Sequence, residues 1–385
     1  MNARARGILG FLLMGLVGMA PLSLPAQQQE ALTVEWIYSD ESARVTAMPL
    51  VHWLENSTLI LYDRQKPEEA RTLEVVDPRH PQRRRELVDR ERALASLNAL
   101  REDSLNSLPW PTAFDRQGRH AAYLLEGDIF LLDFSHSTFT RITQTEPEEK
   151  SLNFSPNGNK IAFVRENDLY VYDLRKEREI RLTRDGSDTI LNGTLSWVYW
   201  EEIFGRRDIG YWWSEDSRAI AFLRTDESPV TVMHFVDFKP VVPRVITQRY
   251  PKAGTDNPIV HVGIVELEDP RPVWVELGDH PYEYLIRVKW LPDSRRLSVQ
   301  TMNRAQTRLE LFLVDRQTGH AHPVMSETDT AWVNIHDDLY FLKDGRHFIW
   351  QSERDGYAHL YRFTLEGQLV NQITRGEWAV RASGG

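Results

Sequence analysis

The strongest constraint on this chain is a segment that occurs twice, forty residues apart. Phe114, Gly118, Tyr123, Asp128, Phe130 and Asp133 are matched in step by Phe154, Gly158, Phe163, Asp168, Tyr170 and Asp173. Arg141-Ile-Thr143 and Arg181-Leu-Thr183 repeat at the same spacing. A period near forty is that of a four-stranded propeller blade. The local chemistry agrees. Ser155-Pro-Asn-Gly158 has turn composition, with Pro fixing φ and Gly accepting positive φ. Ile161 to Val164 and Leu169 to Tyr172 are short runs rich in β-branched and aromatic residues, on either side of a polar tip. Weaker copies begin at Trp53, Trp213, Trp290 and Phe341, which with the two clear copies makes six blade cores. Insertions stretch the spacing between cores to as much as 77 residues, from Trp213 to Trp290. The expected fold is all-β, a β-propeller of four-stranded blades with short helical insertions. Function is expected in the insertions, because the blades are scaffold.

Composition bounds the rest. Apolar residues make up 41% and charged residues 26% of the 385 residues, which suits a folded globular chain. Twelve tryptophans, with 13 Tyr and 15 Phe, favour extended structure with aromatic contacts between blades. A net charge of −10 opposes binding to a phosphate backbone. With no cysteine there is neither a disulfide framework nor a thiolate metal site. Residues 1–26 read as a signal peptide. Arg4 and Arg6 precede the apolar run Ile8 to Ala20, and Ala26 is the small residue before the expected cleavage. That run is short for a bilayer span, and an uncleaved anchor is the alternative. Residues 27–385 are then the propeller domain, exported to the periplasm or secreted.

Two insertions stand out. Gln82 to Asn106 is rich in Arg, Glu, Leu and Ala, with Leu87, Leu94, Leu97 and Leu100 at near-helical spacing. It is expected to form an amphipathic helix capping a blade edge, with a partner-binding helix as the alternative. The second insertion contains Ser196-Trp197-Val-Tyr199-Trp200-Glu201-Glu202-Ile-Phe204. Ser196 is placed to cap a short helix that carries two adjacent carboxylates and an aromatic wall. Neighbours in an ideal helix point about 100° apart, so convergence of the two acids needs a helix end or a distorted turn. Two carboxylates forced together raise one another's pKa unless a cation sits between them. A peptide's α-ammonium meets that need, and loss of its two charge-assisted contacts would weaken binding roughly 10²- to 10⁴-fold. A solvated acidic pair is the plain alternative.

Trp197-Val-Tyr-Trp-Glu201-Glu202-Ile-Phe resembles the double-glutamate helix of the dipeptidyl peptidase IV family, within the prolyl oligopeptidase superfamily. Tyr211-Trp-Trp-Ser214, Leu223 to Pro229, Tyr250 to Pro258, Trp332 to Asp338 and Glu353 to Tyr361 follow in the family's order. The resemblance implies a propeller of eight blades packed on an α/β-hydrolase domain, and release of N-terminal dipeptides whose second residue is Pro or Ala. It implies that Glu201 and Glu202 hold the substrate's free amine, and that Trp332 lies near the second substrate subsite. The family's propeller arginine has no counterpart in the shortened stretch Leu125 to Ile129.

No Gly-x-Ser-x-Gly elbow occurs in the chain, so no catalytic residue is assigned and the chain is expected to be inactive by itself. No cofactor, metal or nucleic-acid motif is present in the sequence. Six cores against the family's eight blades lead to the expectation of an incomplete propeller. The expected ligand is a peptide N terminus, with no membrane partner once the leader is removed. A separately encoded hydrolase domain or a second copy of the chain would be the protein partner. A non-catalytic binding or scaffold propeller is the alternative function.

Overall fold

The computed structural model describes residues 32–381, apart from residues 336 and 338. The expected signal peptide at 1–26 lies outside the described residues. The chain divides into two compact units, Met1–Ala47 and Met48–Gly385. In the first, the short helices Val34–Ile37 and Asp40–Thr46 are each capped by a hydroxyl: Thr33 accepts from Trp36 N–H and Ser39 from Ser42 N–H, both at 3.1 Å. Among the described residues no helix is long and apolar enough to cross a membrane.

The second unit contains six antiparallel blades in succession, one for each expected core. Blade 1 comprises Leu50–Trp53, Leu59–Tyr62, Leu73–Val76 and Arg84–Glu86; blade 2 comprises Ala113–Phe114, His120–Leu125, Asp128–Asp133 and Thr138–Arg141. Blade 3 is built from Glu149–Phe154, Lys160–Arg165, Asp168–Asp173 and Arg178–Arg181. Blade 4 has five strands: Ile190–Asn192, Tyr211–Trp213, Ala219–Asp226, Ile259–Glu266 and Val273–Trp274. Blade 5 runs through Tyr284–Trp290, Arg296–Met302, Arg308–Asp315 and Ala321–Thr328. Blade 6 runs through Leu339–Phe341, His347–Ser352, His359–Thr364 and Leu369–Gln372. Trp53, Phe114, Phe154, Trp213, Trp290 and Phe341 each close an inner strand, so the aromatic that marked each core marks the same turn in every blade.

Strand alternation explains why consecutive blades stack. Successive side chains point to opposite faces of a sheet. Ala121 and Tyr123 pack toward blade 1, whereas Ala122 faces blade 3. Ile161 and Phe163 face blade 2, and Ala162 and Val164 face blade 4. Ala219, Ala221 and Leu223 meet blade 5, while Ile220 and Phe222 meet blade 3. Blades 2 to 5 are therefore apolar on both faces, and the core lies between blades rather than within one.

The forty-residue repeat has a polar cause as well. Asp168, fully buried, accepts from Thr183 Oγ1 at 2.6 Å, Gly186 N–H at 3.0 Å and Asn192 Nδ2 at 3.2 Å, and pairs with Arg181. Thr183 Oγ1 in turn accepts from Leu169 N–H at 2.9 Å. Asp128, Arg141 and Thr143 occupy the same places in blade 2. These residues tie the third strand to the fourth and to the chain leaving the blade.

Two local expectations need correction. The helix expected over Gln82 to Asn106 covers only Arg90–Asn98. Arg84–Glu86 instead forms the outer strand of blade 1, and Asp89 starts the helix by accepting from Arg92 N–H at 3.0 Å. Asn98 ends it, because its side-chain amide bonds both N–H and C=O of Leu105. The helix does cap a blade edge: Ala93 and Leu97 are buried, and Ser96 Oγ accepts from Phe139 N–H in blade 2. The long insertion before Trp290 contains an element that the repeat did not reveal, a two-stranded hairpin arm of Val232–Asp237 and Arg244–Arg249.

Candidate functional site

The acidic pair lies where the inner strand of blade 4 is interrupted. Ile190–Asn192 and Tyr211–Trp213 pair with opposite ends of the same strand, Ala219–Asp226, and the residues between them leave the sheet. The neck of this excursion is closed by glycines. Gly193 N–H donates to Leu223 O, Gly210 N–H to Gly193 O, and Leu223 N–H to Gly210 O. Gly193 has φ +74°, and a Cβ there would meet Leu169 at 3.1 Å, so both conformation and space call for glycine.

Beyond the neck, Tyr199–Ile203 forms a π-helical turn. Trp200 N–H reaches Ser196 O, Phe204 N–H reaches Tyr199 O, and Arg206 N–H reaches Trp200 O, so the loops widen from four residues to five and then six. A wider turn brings adjacent side chains closer in direction than an α-helix does, and such turns are frequent at functional sites. The expected distortion is therefore present. Ser196, expected as the hydroxyl cap, supplies only its carbonyl; its buried Oγ has no hydrogen-bond partner.

The turn is fixed to blade 5. Tyr199 is buried, and its hydroxyl accepts from Leu285 N–H at 3.0 Å. That N–H is free because the first strand of blade 5 is irregular between Leu285 and Arg287, and such bulges re-aim backbone and side chains. Burial pushes the Tyr199 hydroxyl's pKa up, so it stays protonated. Arg287 donates to Ile203 O at 2.8 Å, lies 5.4 Å from the centre of the Phe204 ring, and pairs with Asp337. At its start the turn rests on the arm, with Trp197 and Tyr250 rings 4.3 Å apart. Tyr199→Phe should leave the Leu285 N–H without an acceptor and lower stability by about 1–3 kcal/mol, read from the urea midpoint.

Glu201 is three-quarters buried and accepts two bonds from Arg206, from Nε at 2.9 Å and Nη2 at 2.7 Å. Arg206 adopts φ +66° after Gly205, which turns the chain back over the helix and sets its guanidinium beside Trp200 and Glu201. The hydrogen bond from Arg206 holds the Glu201 carboxyl below the usual glutamate range. Glu202 is exposed, and among the described residues it has no hydrogen-bond or ion-pair partner. Trp332 stands on the loop between blades 5 and 6, with its indole N–H donating to Asn334 at 3.2 Å. No described hydrogen bond, ion pair or ring contact joins Trp332 to the acidic pair. Arg206 was not anticipated, and a lone Arg five residues after Glu201 carries no signal until the backbone reverses. Tyr199 was part of the recognised motif, but its anchoring role depends on a bulge in another blade. Among the described residues no group of acidic or histidine side chains could hold a metal.

Successive antiparallel blades, one with a charged helical excursion on its inner strand, define the class: a β-propeller. The family model for the dipeptidyl peptidase IV N-terminal region matches residues 104–384, and the chain belongs to that family. Dipeptidyl peptidase 4 of Trichophyton rubrum is 28% identical over 292 residues, covering 72% of this chain and 37% of that protein. Dipeptidyl peptidase 4 of Trichophyton tonsurans is 27% identical over 292 residues, with the same coverage. The crystal structure of Porphyromonas gingivalis dipeptidyl peptidase 4 superposes with a TM-score of 0.77 at 22% identity, covering 90% of this chain and 49% of that one. The chain thus spans well under half the length of the curated relatives named here, and its likeness to the solved structure concerns the fold.

Proposed function

We propose that this chain is the substrate-recognition propeller of a dipeptidyl peptidase IV-like serine exopeptidase, and that Glu201 and Glu202 bind the α-ammonium of a peptide. The observation that carries this reading is the state of the pair. One carboxylate is kept ionised by a neighbouring guanidinium, the other is open to a ligand, and both stand on a turn bolted to two blades. An ammonium has three donors and a full charge, so it can use the open oxygens of Glu202 together with the lone pairs that Arg206 leaves on Glu201. Release of Xaa-Pro or Xaa-Ala dipeptides would require a hydrolase domain with its own nucleophile, in the same polypeptide or a partner. The leader-like residues 1–26 support a periplasmic or secreted location.

The test is titration of the purified chain with short Xaa-Pro peptides and their N-acetylated forms, by calorimetry. Binding of the free amine alone supports the reading; equal binding of both forms removes it and leaves a scaffold propeller. The acid limb of this binding gives a second test. Arg206 depresses the Glu201 pKa, so the Glu201 share of amine binding, read in Glu202→Gln, should be fully present above the ordinary value of 4.5 and be lost only as pH falls through the depressed one. In Arg206→Ala that loss should begin at higher pH, in the ordinary glutamate range. An acid limb that does not move would separate Glu201 from the amine.

A further inference from the structure

A cavity of 390 Å³ opens between blades 5 and 6, on the loop side that carries Trp332. Its walls hold three carboxylates, Glu327, Asp329 and Glu353, against one guanidinium, Arg354. Arg354 is already committed. It pairs with Glu327, donates to Ser352 Oγ at 2.9 Å, and stacks on Tyr361 and Phe363 with both ring centres 5.0 Å away. Asp329 and Glu353 therefore face the cavity without a cationic partner. Trp332 is 61% exposed, yet it is held in place: its N–H donates to Asn334 Oδ1, and Asn334 Nδ2 donates to Glu353 Oε2 at 2.7 Å. One relay thus fixes an indole face and a carboxylate relative to each other. Gln351, only 4% exposed, lines the same cavity with an Oε1 that accepts nothing. An open aromatic face, unpaired carboxylates and a spare carbonyl acceptor match one chemistry, a planar cation with several donors.

We propose that this cavity is a second subsite, which takes an arginine side chain of the bound peptide downstream of its N terminus. The guanidinium stacks on Trp332 and donates to Glu353, with Asp329 adding charge at the rim. The proposal rests on the amine-binding reading for the peptide's direction. The two sites are joined by one path: Arg287 holds Ile203 O at the end of the acidic turn and pairs with Asp337. Asp337 is five residues from Trp332, at most about 18 Å of extended chain. An extended peptide advancing about 3.3–3.6 Å per residue covers that path within roughly its first ten residues.

The experiment measures fluorescence anisotropy of labelled ten-residue peptides on the full chain. Each peptide has a free N terminus and one arginine, moved from the third to the ninth position of an otherwise neutral sequence; an all-alanine peptide, a matching series with glutamate in place of arginine, and N-acetylated copies complete the set. One or two adjacent positions should bind about tenfold tighter than the alanine peptide. Glu353→Gln and Trp332→Ala should each abolish that gain, and Glu353→Arg should transfer it to the peptide with glutamate at the same position. No positional gain, with acetylation still weakening binding, overturns the arginine subsite and leaves the amine reading in place. A positional gain that depends on Glu353 and Trp332 but ignores acetylation supports the subsite and removes the amine reading. A gain that survives both variants overturns the subsite. Absence of binding by every peptide overturns both.

Discussion

Asp168→Ala should lower the unfolding free energy by about 3–5 kcal/mol, the range seen when one partner of a buried ion pair is removed. Asp168 is fully buried and serves four donors at once: the Arg181 guanidinium, the Thr183 hydroxyl, Gly186 N–H and the Asn192 amide. Alanine leaves the buried Thr183 hydroxyl and Gly186 N–H without an acceptor, while the Asn192 amide keeps only Asp185 at 2.9 Å, and each unsatisfied buried group costs about 1–3 kcal/mol. Arg181 can turn to solvent, which keeps the total below the simple sum. Total stabilities are typically about 5–15 kcal/mol, so a loss of this size should be visible as a shift of the whole urea transition. Thr183→Val should reproduce part of it, because Leu169 N–H loses its acceptor at 2.9 Å. Asp269→Ala, at an exposed pair with Arg271, should leave the midpoint unchanged. Equal midpoints for Asp168→Ala and Asp269→Ala would show that the repeated Asp-Arg-Thr set is not what locks the blade. Because Asn192 leads directly into the neck at Gly193, Asp168→Ala should also weaken peptide binding, whereas Thr183→Val should do so less.

The second large effect is functional. Replacing Glu201 and Glu202 together by glutamine should reduce affinity for free-amine peptides roughly 10²- to 10⁴-fold, the loss of two charge-assisted contacts. Glutamine keeps size and one acceptor but removes the charge that an ammonium requires. The thermal transition should move little, since Glu202 is exposed and Glu201 is paired, among the described residues, with the exposed Arg206. Affinity for N-acetylated peptides should be unchanged. Single variants separate the roles. Glu202→Gln removes the open carboxylate and should account for much of the loss, while Glu201→Gln also frees Arg206, which then faces the ammonium as a like charge. A double variant that binds free-amine peptides as tightly as the parent would end the amine-recognition reading.

The fold was legible in the sequence because a propeller repeats its physics. Aromatic closure marks every inner strand, and in blades 2 and 3 the glycine at the first turn and the Asp-Arg-Thr set recur forty residues apart, so two good copies sufficed to locate the weaker ones. Blade 4 was the hardest to see, since its inner strand is split and its spacing is stretched. The hairpin arm escaped notice for a related reason. It pairs only with itself, and its strands, largely exposed along their length, lack the one-sided pattern that burial imposes. The overlong helix has a similar origin: leucines at near-helical spacing continue through Leu87, which belongs to blade 1 because its N–H donates to Leu73 O.

The sequence alone determined the repeated β scaffold, the aromatic turn with its two acids, and the absence of a nucleophile elbow within these residues, because each is carried by residues close together in the chain. Only the tertiary structure decided how the acids are held. Tyr199 meets Leu285, and Arg287 meets Ile203 and Asp337, across separations of more than forty residues. Arg206 reaches Glu201 only because the backbone reverses at Gly205. Trp332 finds its acidic neighbours because blades 5 and 6 lie side by side. Local pattern fixes which side chains exist on an element; long-range packing fixes which of them meet.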